Sequence, residues 1–224
     1  MRSFEFPVDR SHAHSVNETF ADVRRLRAAS IVTALLFAGL AAWLFLLAHP
    51  WSYILGTVIA LVAATSLWMA FWAPRKVGTV EDMYAKGALV PAVVAEVRPR
   101  GATLLALVDV AKPSADRPHY VLVTRSVRSL PGHSIDRVGE RVPSVAVLAD
   151  RNTRSTADTW QMVSPMPIAW GTADARVLRR ATDSIGGEEW NLLAKSIPLA
   201  PKVLAAENQQ LPVAPGDLPG YLLD

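Results

Sequence analysis

The chemistry available to this 224-residue chain rests first on five histidines: His12, His14, His49, His119 and His133. His12-x-His14 sets two imidazoles side by side, which is half of a metal site. A zinc-type site needs further donors, and the chain has no cysteine and no third His or carboxylate at a matching spacing. The pair therefore reads as part of a solvated linker. His119 follows Asp116, and His133 precedes Ser134 and Asp136, so each could contribute to a nucleophile–base set. Both lie in Pro/Gly-rich loops, where the local sequence fixes no such geometry. A G-x-S-x-G elbow, an H-E-x-x-H pair and a phosphate-cradling G-x-x-x-x-G-K-[ST] loop are all missing. Trp160 and Trp170, with Met162-x-x-x-Met166, read as core rather than as cofactor contacts. The expectation is a chain that is not an enzyme, with no catalytic residues, no metal and no cofactor.

The elements around these residues say more. Residues 28–74 contain no Lys, Arg, Asp or Glu, a run about twice the ~20 apolar residues one bilayer crossing needs. It divides into crossings at 28–48 and 53–73, joined by the turn His49-Pro50-Trp51-Ser52. Neither crossing has the polar face of a core helix in a soluble protein. The run also begins too far from Met1 for a cleavable signal peptide. Arg24, Arg25 and Arg27 precede it and Arg75 and Lys76 follow it, so both termini are expected in the cytoplasm. The protein is then a multi-pass protein of the inner (plasma) membrane, and labels placed at Ser52 and Ser155 would report opposite sides.

Small residues every fourth position, Ala34, Ala38 and Ala42 in the first crossing and Gly56, Ala60 and Ala64 in the second, are the candidates for close helix packing. With no ionisable group inside either crossing, the pair has no ion site or proton relay of its own. Membrane lipid is the first expected partner. Elsewhere Arg and Lys interleave with Asp and Glu, and the formal charge is only +3, so no nucleic-acid footprint is expected.

Residues 1–27 are a lead-in. Phe4, Phe6 and Val8 alternate with Ser3, Glu5 and Pro7, which predicts a short strand, and Ser15-x-x-Glu18 predicts a capping box opening the first long helix. Residues 77–197 predict a β-rich cytoplasmic domain. Its strands fall at 89–97, 103–110, 120–127 and 141–148, with Pro143 at the start or edge of the last. A fifth at 160–163 is stopped by Pro165 and Pro167. The close spacing suggests a small barrel. Helices follow from 172 or 173 to 184 and from 188 to 197, separated by Gly186-Gly187. Residues 198–224 lack periodicity and predict an extended tail. The fold class is α+β: a two-helix transmembrane hairpin inserted ahead of a small cytoplasmic β-barrel-like domain with two C-terminal helices.

The stretches Leu89-Val-Pro-Ala-Val-Val-Ala-Glu-Val97, Gly139-Glu-Arg-Val-Pro-Ser-Val-Ala-Val147 and Pro165-Met-Pro-Ile-Ala-Trp-Gly-Thr172, with the N-terminal segment and the two crossings, carry a resemblance. The chain resembles an uncharacterised actinobacterial, mainly corynebacterial, membrane-protein family, the domain of unknown function 3239. The resemblance runs from Phe4 to about residue 197. It implies an architecture and an inner-membrane location, and it transfers no site residues. Taken together, the expected function is a non-enzymatic accessory or scaffolding subunit of a larger respiratory or cell-envelope assembly. Its protein partners would dock on the hairpin, the soluble domain and the tail, and no small-molecule substrate is identified. The alternative is a membrane-anchored ligand-binding or regulatory domain, with the loops 111–119 and 130–139 as its polar surface.

Overall fold

The computed structural model describes residues 2–77, 79–151 and 156–222. Two compact units emerge. One joins Met1–Val16 to Val80–Asp224, and the other is Asn17–Thr79. The chain thus leaves one folded body, forms the hairpin, and returns to the same body.

The N-terminal segment is extended, with Phe4, Phe6 and Val8 half-buried and Ser3, Glu5 and Pro7 exposed. It does not form the expected strand. Isolated bonds hold it instead: the Leu89 amide donates to the Arg2 carbonyl at 2.7 Å, and the Asp9 amide to the Gly171 carbonyl at 2.9 Å. Its aromatic rings provide the rest of the anchorage, Phe6 meeting Tyr84 edge-on at 5.1 Å and Phe4 lying under the Arg180 guanidinium at 4.9 Å. Asp9 then opens helix α1 (Arg10–Val16), its carboxylate accepting from the Ser11 and His12 amides at 2.9 and 3.1 Å. Those amides, that of His12 foremost, hold its carboxyl below the usual range.

The Ser15 capping box does not form. Ser15 sits in α1 and its hydroxyl donates back to the His12 carbonyl at 2.7 Å, so the long helix α2 (Glu18–Leu46) starts after Asn17 instead. The second long helix, α3 (Pro50–Val77), begins earlier than its apolar run implies. Pro50 has its φ preset for a first helical position and no amide to leave unpaired, so Pro50, Trp51 and Ser52 join the helix rather than the turn. The turn is carried by Ala48, whose φ is +54°. The Ser52 hydroxyl closes it, donating to the His49 carbonyl at 2.8 Å while accepting from the His49 amide at 3.1 Å.

In the body, α4 (Val80–Lys86) leads into seven strands: β1 (Ala88–Val90), β2 (Ala92–Arg98), β3 (Gly101–Asp109), β4 (Tyr120–Val127), β5 (Ser144–Ala149), β6 (Met162–Pro167) and β7 (Gln210–Pro212). They form two antiparallel sheets, β1-β5-β6 and β2-β3-β4-β7. No closed barrel forms among the described residues. The expected single strand at 89–97 is broken at Pro91, which cannot donate to a ladder, and the chain changes sheet there. Pro165 and Pro167 do not stop β6. It is an edge strand paired only with β5, opposite Ala146 and Ser144, and an edge tolerates missing donors.

Val90, Ala92, Ala106, Val108, Val121 and Val123 form the apolar core beneath these sheets. Trp170 is fully buried nearby, its indole N–H donating to the Ser129 carbonyl at 2.8 Å. Helices α5 (Ala175–Asp183) and α6 (Gly187–Ser196) follow, the first capped by the Asp174 carboxylate. The remaining residues are not an extended tail. They form α7 (Ala200–Ala205), whose Val203 is fully buried, and β7, which pairs with β4 through Val121–Pro212, Leu122–Leu211 and Val123–Gln210.

Candidate functional site

The hairpin is the first candidate surface. The two candidate spans are Ala21–Leu46 and Pro50–Trp72, of 26 and 23 residues. At 1.5 Å per residue even the shorter reaches about 35 Å, enough for a ~30 Å hydrocarbon core. Of the expected packing residues, Ala34 and Gly56 are buried, Ala60 is half-buried, and Ala38, Ala42 and Ala64 are exposed. The observed seam is Ala34, Phe37, Ala41 and Leu44 against Ser52, Gly56, Ile59, Ala63, Ser66 and Ala70. These steps alternate between three and four residues. A strict step of four rotates about 40° per repeat on a 3.6-residue helix and leaves the interface, whereas three-plus-four nearly closes two turns. A Cβ on Gly56 would lie 3.2 Å from the Phe45 ring. Away from the seam, Leu35, Leu36, Ile54, Leu61 and Trp68 are all exposed, as a lipid-facing surface requires.

The second candidate lies in the body. A cleft of about 540 Å³ opens between residues 132–141 and α5, lined by His133, Arg137, Glu140, Arg141, Arg179 and Asp183 beside Val138, Ala175 and Leu178. Gly132 and Gly139 bend the loop with φ of +76° and +86°. The His133 side chain is only 8% exposed, with Nδ1 at 3.5 Å from Glu140 Oε1. Its Nε2 is buried and has no hydrogen-bond partner among the described residues. Arg141 lies over the Trp190 ring at 5.4 Å. Arg137 and Arg179 are exposed.

The other histidines are dispersed. The His12 ring is not solvated: its Nε2–H donates to the Ala169 carbonyl at 2.9 Å. His119 donates through Nδ1 to the Arg117 carbonyl at 3.0 Å, and its amide is held by Asp109 rather than by Asp116. His133 meets Glu140 and not Ser134 or Asp136. No cluster of three or more His, Asp or Glu suited to a metal occurs among the described residues. Of the residues expected in the core, Met166 and Trp170 are buried, while Met162 is half exposed because it begins an edge strand.

Sequence reasoning missed Glu189. Its nearly buried carboxylate accepts from Arg2 at 2.9 Å, the Tyr221 hydroxyl at 3.1 Å and the Gly186 amide at 3.2 Å. Desolvation and the Glu189 charge push the Tyr221 hydroxyl up to about 12. Arg2 lies 187 positions away, so the only local signal was a Glu three residues after Gly186 at a helix start. A second groove of about 570 Å³ runs between α6 and the C-terminal residues, lined by Leu192, Lys195, Leu199, Leu211, Val213 and Leu218.

Two helices long and apolar enough to cross a membrane, inserted into an α+β body, define the class of protein. Residues 75–200 match the family described as "Protein of unknown function (DUF3239)", and the chain belongs to that family. A crystal structure described as "a putative membrane protein from Corynebacterium diphtheriae" is similar at 38% identity and a TM-score of 0.50, over 56% of this chain and 99% of that one. No curated protein matches the chain.

Proposed function

We propose that the chain is a non-enzymatic accessory protein of the inner membrane, its hairpin embedded, both termini cytoplasmic, and its body held at the cytoplasmic face as a docking module for a larger assembly. One observation carries this reading. The chain leaves the body after Val16 and rejoins it at Val80, so two crossings in between would return it to the side of the membrane it left. The cationic flanks Arg24, Arg25, Arg27, Arg75 and Lys76 support the cytoplasm as that side.

Single cysteines test the topology. Ser52 is fully buried and Ser155 lies outside the described residues, so the exposed His49 and Ser114 serve instead. An impermeant maleimide should label a cysteine at His49 in intact cells and one at Ser114 only after permeabilisation. Labelling of both in intact cells would overturn the orientation. Purification in mild detergent should retain stoichiometric partner subunits, and recovery of the chain alone would remove the accessory role. The cleft beside His133 favours a second reading, a membrane-held ligand-binding domain.

A further inference from the structure

We infer that the cleft between residues 132–141 and α5 binds the phosphoryl group of an anionic ligand, an inference that rests on the second reading above. Its volume, about 540 Å³, lies inside the ~300–1,000 Å³ range of small-molecule sites. Arg137, Arg141 and Arg179 line it together with Glu140 and Asp183, three guanidinium groups to two carboxylates. Arginine is the side chain best shaped for this work, because its planar fork matches phosphate oxygens in pairs. Arg137 and Arg179 make no side-chain hydrogen bond or ion pair among the described residues, so both forks are available. Arg141 lies over the Trp190 ring and makes no side-chain hydrogen bond among the described residues.

The second, independent observation is His133. A buried polar nitrogen without a partner is uncommon in folded proteins and is unfavourable to leave unpaired. With Nδ1 beside Glu140, Nε2 is the ring nitrogen left to meet a ligand oxygen. Val138, Ala175 and Leu178 supply an apolar wall for the organic part of the ligand. Two free forks and a ring nitrogen suit a phosphoryl group, which offers more acceptor oxygens than the two of a carboxylate.

The test uses the full chain in nonionic detergent and follows its thermal midpoint at matched ionic strength. Inorganic phosphate should raise Tm more than sodium chloride or sodium acetate does. The R137A/R179A variant should weaken that response, by roughly tenfold in apparent affinity per arginine, while R117A, whose side chain does not line the cleft, should keep it. If the double variant proves unstable, R179A is read the same way. Adding short-chain phosphatidylglycerol, with phosphatidylcholine as control, identifies the source. A larger shift with phosphatidylglycerol than with inorganic phosphate assigns the phosphoryl group to a lipid headgroup, and the reverse assigns it to a soluble compound. Equal shifts with acetate and phosphate would overturn the phosphoryl assignment. No shift with any probe, or a shift unchanged in R137A/R179A, would overturn the site. Labelling at His49 and Ser114 reports the anchor separately, so failure of the cleft leaves the topology standing.

Discussion

Ala48 shows how much a single backbone position decides. Its φ of +54° places an L-residue with a side chain where glycine is at ease, at the end of α2. Ala48→Gly should therefore stabilise the hairpin by about 0.5–1 kcal/mol, read as a higher SDS fraction at half-unfolding. Asp174 is a second such residue. The Arg176 amide, then the Arg176 side chain, hold its carboxyl below its usual 3.8. A lowered folded value means that its stabilisation is present above pH 3.8 and is lost as pH falls through the depressed value. Asparagine caps helices equally well but does not titrate. Asp174→Asn should keep Tm near neutral pH and flatten its fall in acid, and an unchanged acid limb would contradict that role.

At the scale of elements, the hairpin seam separates two spacings that the sequence alone presents as equivalent. Gly56→Leu drives a branched side chain into the Phe45 ring and should cost more than about 2 kcal/mol in SDS-titrated unfolding. Ala38→Leu points to the exposed side and should stay within about 0.5 kcal/mol. Equal costs would restore the every-fourth-residue interface. The Glu189 junction links the N-terminal segment, α6 and the C-terminal residues. Glu189→Ala removes three hydrogen bonds at once and should cost about 2–3 kcal/mol, with faster proteolysis near Tyr221 as its local signature.

For the molecule as a whole, the body is discontinuous in sequence but closed in space. Arg10 in α1 pairs with Glu81 in α4, so the two chain connections to the hairpin belong to one surface of the body. Replacing residues 17–79 with a short Gly/Ser linker should yield a water-soluble protein that keeps its near-UV circular dichroism. Loss of that signal would show that the body needs the hairpin to fold. The C-terminal residues belong to the same closure, since β7 completes the edge of the β2-β3-β4 sheet and α7 buries Val203.

The sequence by itself determined the two apolar helices, the β2–β3 hairpin, β4, the start of β5 after Pro143, and the two helices that follow the strands. Each is written in a local signal: a charge-free run, period-two alternation, a Pro or Gly, an i, i+3, i+4 stripe. Tertiary structure decided what local signals cannot carry. Whether Pro165 ends a strand depends on that strand lying at an edge. Which alanines face a partner helix depends on accumulated rotation over several turns. Residues 198–224 look structureless because their anchors, Ala200, Val203 and the β7 ladder, are short and meet partners far away in sequence. The arginine cleft is half legible, since residues 130–139 read as polar surface, but Arg179 and Asp183 come from a helix about forty positions later. No spacing rule joins them; only packing of α5 against the loop does.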